Sequence, residues 1–245
     1  MKYLKYHPHI LLRQFVDFYW VLQTDLNCLK IPLFADATTD LFVNLGNYNW
    51  NISTHQPGRM YLCGPATSVH FSNCYPGNVY VGIRFKPGGF PAFYGVPLIN
   101  LVDQIVEFED TQLKYLLDVD ESLPSRLDNY FLARKRSDYT VTTIADAIYR
   151  SKGRISVDLL ARECNVSNRT LERYFYNNMG IGPKEFINIV RFHQTLLALE
   201  KGYPRGQLVK IAAKLGYYDQ SHFIKEVKKR TGSAPSAIGP INSFF

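Results

Sequence analysis

The sequence predicts an α+β protein, in which a small β-barrel with flanking helices is followed by an all-α half of about seven helices. The first observation behind this prediction is a series of short runs with alternating apolar residues between residues 40 and 85, each ended by Gly, Pro or Asn. The second is the change to helical spacing of apolar residues after residue 89. Strands separated by such short turns favour a barrel or a sandwich over a parallel sheet with crossover helices.

The elements of the first half follow from these patterns. Residues 3–30 combine a short apolar helix candidate, from Ile10 to Phe18, with a strand-like run over 18–22. The three clearest strands are expected at Asp40–Gly46, Arg59–Cys63 and Asn78–Phe85.

Helical spacing then predicts helices at Gly89–Val96, Asp110–Leu117 and Leu123–Leu132. The last two are amphipathic, and their apolar faces can pack either on the barrel or on a second chain. The charged stretch ARKRSD, which starts at Ala133, lacks apolar spacing and is typical of a linker. We therefore divide the chain into a barrel-like domain (1–133), a linker (134–138) and a helical domain (139–245).

The helical half contains a pair of short helices that meet at a tight turn. Ser156 and Ser167 are suited to cap the two helices, and Asn165 supplies the turn between them. Gly180, Gly182 and Pro183 end the second helix. The positions expected to face inward are Leu159, Leu160, Cys164, Leu171, Tyr174 and Phe175.

Residues 208–238 repeat this pattern. Ile211 matches Leu160 with a shift of 51 residues, whereas Asp219 matches Ser167 with a shift of 52, so the second turn is one residue longer. Between the copies, residues 184–200 predict one helix of ~25 Å, which is a stiff spacer. Thr140–Tyr149 predicts a further helix ahead of the first copy.

The charge of the chain is divided unevenly. Residues 1–150 carry 13 Lys and Arg against 14 Asp and Glu, whereas residues 151–245 carry 15 against 7. The excess positive charge therefore lies in the half with the paired helices. Neutralisation of phosphates supplies most non-specific affinity for nucleic acids, so this distribution favours a polyanionic partner for that half.

The two copies, LARECNVSNRTLERYF and IAAKLGYYDQSHFIKEVKKRTGSAPSAI, resemble the AraC/XylS family of bacterial transcription regulators. The resemblance implies two helix-turn-helix units joined by a long helix, and a sequence-specific DNA-binding regulator. Its implied partners are double-stranded promoter or operator DNA and RNA polymerase. A spacer of this length is of the order needed to place two recognition helices in successive major grooves, which repeat every ~34 Å.

The resemblance also implies which side chains face DNA. Those mapped to base edges are Asn168, Arg169, Glu172 and Arg173 in the first unit and Gln220, Ser221, His222 and Lys225 in the second. Those expected at phosphates are Ser167, Lys228, Lys229 and Arg230. Alternatively, Arg169 and Arg173 form surface ion pairs with Glu163 or Glu172, His222 is an ordinary surface residue, and the cations at 228–230 in part complement the helix dipole.

The first half resembles the N-terminal domain of one AraC-like branch through Tyr19-Trp20, DLFVNLG, Gly64-Pro65 and GIRFKPGGFPAFYGV. The resemblance implies a cupin-like barrel that senses a small molecule or mediates homodimerisation. The residues expected to line an effector pocket are Phe42, Asn44, Tyr80 and Arg84. Arg84 is suited to an anionic group, but it can instead pair with Asp36 or Asp40.

The alternative class is a ligand-sensing module or metal-dependent enzyme in which DNA binding is secondary. Its chemistry would depend on His55, Cys63, His70, Cys74 and Arg84. The histidines lack the HxH or HxxE spacing of a metal site, so we predict no catalytic residue, metal or cofactor, and the cysteines are expected to be free thiols. Since no signal peptide or membrane span is evident, we expect a cytoplasmic, nucleoid-associated protein.

Overall fold

The computed structural model of the chain describes residues 1–25, 29–46, 55–136, 140–200 and 208–237. Parts of three sequence predictions lie outside these residues: the linker over 137–138, the helical domain at residues 139, 201–207 and 238–245, and the end of the second copy at Ile238.

The first half is built on antiparallel strands. They are β1 (Lys2–Tyr6), β2 (Val16–Gln23), β3 (Leu29–Leu33), β4 (Thr39–Asn44), β5 (Met60–Cys63), β6 (His70–Cys74), β7 (Val79–Phe85) and β8 (Ile105–Glu107). Six form a sheet in the order β1-β2-β7-β4-β5-β8, and β3 pairs with β6 in a second, two-stranded sheet. The α+β fold class is confirmed, and so are the three strands expected between residues 40 and 85.

The strand alternation buries both faces of the six-stranded sheet. On one face, Phe18, Trp20, Phe42, Tyr61 and Tyr80 form an aromatic cluster, over which Ile31 of β3 packs. The two-stranded sheet therefore covers this face, as in a barrel-like domain.

The other face packs on helices of the same chain. These are α1 (Pro91–Tyr94), α2 (Thr111–Lys114) and α3 (Leu123–Arg134). Leu113, Leu127 and Phe131 are fully buried in one core with Val81 and Ile83 of the sheet. The sequence left open whether these amphipathic helices pack on the barrel or on a second chain, and in the structure they pack on the sheet of their own chain.

One expected helix is replaced by a strand. Between Ile10 and Phe18 only a short 3₁₀ turn forms, over Ile10–Leu12, and β2 already begins at Val16. The aromatic and β-branched residues after Phe15 prefer the pleated sheet, and the apolar run before them is too short to nucleate a helix.

The second half is helical. Its helices are α4 (Thr140–Arg150), α5 (Val157–Glu163), α6 (Asn168–Met179), α7 (Pro183–Glu200), α8 (Leu208–Lys214) and α9 (Gln220–Thr231), followed by a 3₁₀ turn at Pro235–Ala237. α7 has 18 residues, which makes it about 27 Å long. No helix among the described residues is long and apolar enough to cross a membrane.

The two halves contact each other directly. Ala35 and Ala37, from the loop after β3, are buried in the core formed by α4 to α7. The ring Nε2 of His193 in α7 donates a hydrogen bond of 2.8 Å to the Ala35 carbonyl. At the end of α9, Arg230 donates to the Thr67 carbonyl at 2.9 Å. Both helix pairs are thus tied to the first half.

Candidate nucleic-acid interface and small-molecule cavity

The first helix pair, α5 and α6, has the caps and the turn that the sequence predicts. Ser156 Oγ accepts a hydrogen bond from Leu159 N, and Ser167 Oγ accepts one of 3.1 Å from Thr170 N. Asn165, in the turn, has φ 53°, in the left-handed region that Asn tolerates. Leu160 is buried, but Leu159, which we expected to face inward, is 47% exposed.

The second pair, α8 and α9, reproduces this geometry. Gly216 has φ 80° at the position of Asn165, and Tyr217 N donates to Ala212 O just as Val166 N donates to Ala161 O. Asp219 caps α9 by accepting from His222 N at 2.7 Å. The extra residue of the longer turn is Tyr218, which is 92% exposed.

Both α6 and α9 end at a left-handed glycine. Gly180 has φ 71° and Gly232 has φ 72°, and each donates its N–H to the carbonyl four residues earlier. The two pairs therefore share their N-caps, their turn geometry and their C-caps, which is the structural counterpart of the sequence repeat.

The outward face of α6 is polar. Leu171, Phe175 and Met179 are buried. The predicted base-reading residues, which are all exposed, are Asn168, Arg169, Glu172 and Arg173. Asn168 Nδ2 donates to Asp158 Oδ1 at 2.7 Å. Within the described residues neither arginine forms an ion pair with a carboxylate, and the Arg173 guanidinium lies 5.9 Å from the centroid of the Tyr174 ring.

The corresponding face of α9 is less uniform. Ser221 and Lys225 are exposed, whereas Gln220 and His222 are half-buried. The His222 ring packs edge-on against Tyr217 at 5.6 Å between centroids, and its Nδ1 has no hydrogen-bond partner among the described residues. His222 is therefore held partly by packing against Tyr217.

The four residues expected at phosphates differ in their surroundings. Lys228 is exposed, and Lys229 forms an ion pair of 3.2 Å with Glu185. Ser167 uses its hydroxyl for the cap and for a bond to Thr170 Oγ1. Arg230 is completely buried.

The structure therefore corrects the expectation for Arg230. Its guanidinium bonds to Glu185 at 3.1 Å, to Glu226 at 3.2 Å and to the Thr67 carbonyl. The sequence motif has three adjacent cations, but the turn of the helix points the third into the protein, where two carboxylates and a carbonyl bind its donors. Arg230 is thus a structural residue and is not available to a phosphate.

A cavity of about 80 Å³ lies on the aromatic face of the six-stranded sheet. Its walls include Trp20, Phe42, His55, Cys63, Tyr80 and Arg84. Three of the four predicted pocket residues therefore line one cavity, and the fourth does not.

Asn44 is the exception. It lies at the last position of β4, fully buried, where its Nδ2 donates to the His55 carbonyl and its Oδ1 accepts from Gly46 N, both at 2.9 Å. Its amide is thus occupied in fixing the backbone where the chain leaves the sheet, which corrects the expectation that it lines the pocket.

Arg84 is bound by carboxylates of its own domain. Its Nε and Nη2 donate to Asp40, the latter at 2.8 Å, and its Nη1 donates to Asp36 at 3.1 Å. Asp40 also accepts from Trp20 Nε1 at 3.0 Å. Burial raises the pKa of Asp40, and the Arg84 guanidinium opposes that rise, while the two carboxylates raise the pKa of Arg84 against its burial. The sequence left open whether Arg84 binds an anionic ligand or pairs with Asp36 or Asp40, and in the structure it pairs with both carboxylates.

The other titratable groups of the cavity are neutral near pH 7. Burial lowers the pKa of His55 to about 4 and raises the pKa of the Cys63 thiol to about 12. Among the described residues, no cluster of three or more His, Cys, Asp or Glu side chains is placed to hold a metal ion. Cys63 and Cys164 are free thiols.

Comparison with known families matches both halves. Residues 4–107 match the model described as "Domain of unknown function (DUF6597)", and residues 160–239 match the model described as "Helix-turn-helix domain". The chain carries a DUF6597 domain followed by an AraC-type helix-turn-helix domain. The resemblance drawn from the two sequence copies is confirmed, and the chain is a DNA-binding transcription regulator.

Solved structures with a similar fold are distant. ToxT from Vibrio cholerae O395 has 14% identity and a TM-score of 0.45, covering 88% of this chain and 94% of that chain. Unsaturated fatty acid-bound ToxT from the same species has 14% identity and a TM-score of 0.45, covering 89% and 93%. The C-terminal domain of AraT, a response regulator from Geobacillus stearothermophilus, has 23% identity and a TM-score of 0.38, covering 42% and 84%. No curated protein sequence matches the chain.

Several cavity residues of the DUF6597 domain escape the sequence reasoning. Trp20 stands out in the sequence only as part of a motif, and His55 and Cys63 only as members of a hypothetical enzyme site. Trp20 shares a face with Phe18 and Leu22 through the period of two in β2. Alternation in β2 is the signal that could have placed Trp20 beside Phe42.

Proposed function

We propose that the AraC-type domain reads two successive major-groove segments of one DNA duplex with α6 and α9. The observation that carries this proposal is the shared capping geometry of the two helix pairs, each with a polar outward face. α7 supports it as the connecting arm, because Thr195 of α7 bonds to Tyr217 of the second pair at 2.9 Å, while Phe186 of α7 is buried against Phe175 of the first. Promoter-bound chains would act on RNA polymerase.

The side chains fall into two roles in this proposal. Asn168, Arg169, Glu172 and Arg173 of α6 and Gln220, Ser221, His222 and Lys225 of α9 face base edges. Arg pairs bidentately with guanine and Asn or Gln with adenine, and a good pair discriminates by ~1 to 3 kcal/mol. Lys228 and Lys229 bind phosphates, which adds affinity without sequence information.

The test is selection of binding sites by the full-length chain from random duplexes, followed by substitution of one residue from each role. We expect Arg173→Ala to relax preference at one base position, at a cost of ~1 to 3 kcal/mol on the selected site only. We expect Lys228→Ala to weaken all duplexes alike and to reduce the slope of log affinity against log salt by about 1. Equal behaviour of the two variants, or no preference of the wild type for duplex over single strands, would contradict the proposal.

We also propose that the cavity of the DUF6597 domain receives a small-molecule effector. The proposal is supported by a segment shared between the cavity and the contact with the helical half. Asp36 binds Arg84 of the cavity wall, and the adjacent Ala35 accepts the hydrogen bond from His193 of α7. A molecule that shifts Arg84 therefore acts directly on the loop that α7 contacts. Burial of α2 and α3 on their own sheet favours this role over dimerisation through those helices.

A further inference from the structure

We infer that the cavity of the DUF6597 domain binds a small uncharged aromatic molecule and discriminates against carboxylates. This inference rests on the proposed effector site and names its ligand class. It follows from the rings among the lining residues, from the two carboxylates that already bind Arg84, and from the charge of the remaining described lining residues.

The described wall residues that carry rings are Tyr3, Trp20, Phe42, His55 and Tyr80, and they stand beside the aliphatic Leu22, Ile31, Leu33 and Ile105. Phe42 lies among these rings, with its ring centroid 5.0 Å from that of His55. Trp20 and Tyr80 follow at 6.1 and 6.4 Å. Aromatic walls favour a ring that stacks or packs edge-on against them. A volume of about 80 Å³ restricts that ligand to a small molecule.

The guanidinium of Arg84 in the cavity wall is already bound by carboxylates of the protein. A guanidinium binds carboxylates through its planar fork, and on Arg84 that fork is already held by Asp40, with Asp36 on Nη1. Both Asp40 oxygens accept from Arg84, and Trp20 Nε1 donates to one of them. A carboxylate ligand would have to displace Asp36 or Asp40 from Arg84, and the displaced carboxylate would lose its partner.

Among the described residues, the rest of the lining supplies no compensating charge. His55 is neutral at pH 7 because burial lowers its pKa to about 4, and the Cys63 thiol stays protonated because burial raises its pKa to about 12. Within the lining, Asp40 balances the charge of Arg84, and Asp36, which also binds Arg84, is not among the described lining residues. Lys5, the cation stacked on Tyr3 and Phe18, does not line the cavity within the described residues. A charged ligand would therefore lose its hydration without gaining a counter-ion.

The experiment compares benzyl alcohol, benzoate and benzylammonium, which share one ring and differ in charge, by ligand-observed NMR and calorimetry on the full-length chain at pH 7. We expect benzyl alcohol to bind at least tenfold more tightly than either ion. Ser72→Phe, which places a ring into the cavity from β6, should abolish that binding. Asn73→Phe, on the adjacent exposed position of the same strand, should preserve it.

A second variant tests the reason for the discrimination. Asp36→Asn removes one carboxylate from Arg84, so we expect it to raise benzoate affinity severalfold while benzyl alcohol affinity stays within a factor of two. If wild type binds benzoate or benzylammonium as tightly as benzyl alcohol, the ligand class is wrong but the effector site stands. If none of the three binds, or if binding survives Ser72→Phe, the cavity is not the site, and both the inference and the proposed effector role fail. DNA reading is tested separately by site selection.

Discussion

Arg84 and Arg230 show how little a local motif says about the task of an arginine. The sequence suggests a phosphate for Arg230, and for Arg84 it leaves open an anionic ligand or an ion pair with Asp36 or Asp40. Each is buried and held by two carboxylates of the protein, Asp36 and Asp40 for Arg84 and Glu185 and Glu226 for Arg230. The guanidinium of Arg173 has no such partner among the described residues, which is why it stays a candidate for DNA.

His55 makes the stability of the DUF6597 domain depend on pH. Its folded-state pKa is about 4 and its ordinary value is 6.5, because burial disfavours the imidazolium. Between these values the unfolded chain binds a proton that the folded chain does not, so stability present above pH 6.5 is lost as the pH falls. We expect His55 to remove about 2 kcal/mol of unfolding free energy between pH 7 and pH 5.

Urea denaturation at both pH values measures this loss. His55→Phe keeps a ring among Phe42, Tyr61 and Tyr80 but cannot titrate. The variant should therefore lose about 2 kcal/mol less than wild type over the same interval. Identical losses in the two proteins would show that His55 does not stay neutral on folding.

At the scale of elements, the ends of α6 and α9 offer a matched comparison. Gly180 and Gly232 have the same left-handed φ, so alanine at either costs about 1 kcal/mol in backbone strain. A Cβ at Gly180 would also lie 2.5 Å from the Leu98 carbonyl oxygen, whereas at Gly232 the nearest atom is 3.9 Å away. We expect Gly180→Ala to lower the unfolding free energy by about 2 to 3 kcal/mol and Gly232→Ala by about 1.

Chemical denaturation of the two variants measures the difference between their unfolding free energies. Equal costs would mean that the Leu98 loop moves away from α6 without penalty, and that the close approach of the two halves at Gly180 contributes nothing to stability.

The same helix ends explain why the helical half was predictable. Ser167, Asp219, Gly180 and Gly232 act on their own helices, so their residue types are sufficient to locate the ends. The strands β3 and β6 were missed for the opposite reason. The His70–Cys74 run has no apolar alternation, and Pro32 interrupts β3, so these strands depend on pairing with each other and on packing over the aromatic face.

The candidate site residues also divide into those that local sequence patterns predict and those that depend on distant contacts. Phe42, Tyr80 and Arg84 were found because alternation places them on one sheet face, and Asn44 shares that alternation but sits where the strand ends. The burial of Arg230 depends on Glu185, which lies 45 residues earlier, and on Thr67, which lies 163 residues earlier. No local pattern contains such information.

In the whole molecule, Arg230 connects the two halves through hydrogen bonds. It joins α9 to α7 through Glu185 and to the DUF6597 domain through the Thr67 carbonyl. Thr67 is itself fixed by Asp103, which accepts from its backbone N at 2.7 Å and from its hydroxyl. Removing the guanidinium leaves Glu226 without its cation and leaves Glu185 with only the exposed Lys229 as an ion-pair partner among the described residues.

We expect Arg230→Met to lower the unfolding free energy by about 3 kcal/mol. Lys228→Met, two positions earlier on the exposed side of α9, should change it by less than about 0.5 kcal/mol. Denaturant titration monitored by circular dichroism measures both. If Arg230→Met lowers the unfolding free energy no more than Lys228→Met does, the hydrogen bonds of Arg230 to Glu185, Glu226 and Thr67 do not stabilise the protein in solution.

Tyr218, the additional residue in the turn of the second helix pair, makes the two helix pairs unequal. The pairs α5–α6 and α8–α9 repeat one pattern, but the turn of the second is one residue longer, so exchanging the two pairs would not restore the original arrangement. In the proposed complex, in which α6 and α9 read one duplex, a bound DNA segment is therefore distinguished from the same segment turned end for end. Reversing the segment would reverse the direction in which the regulator lies on it.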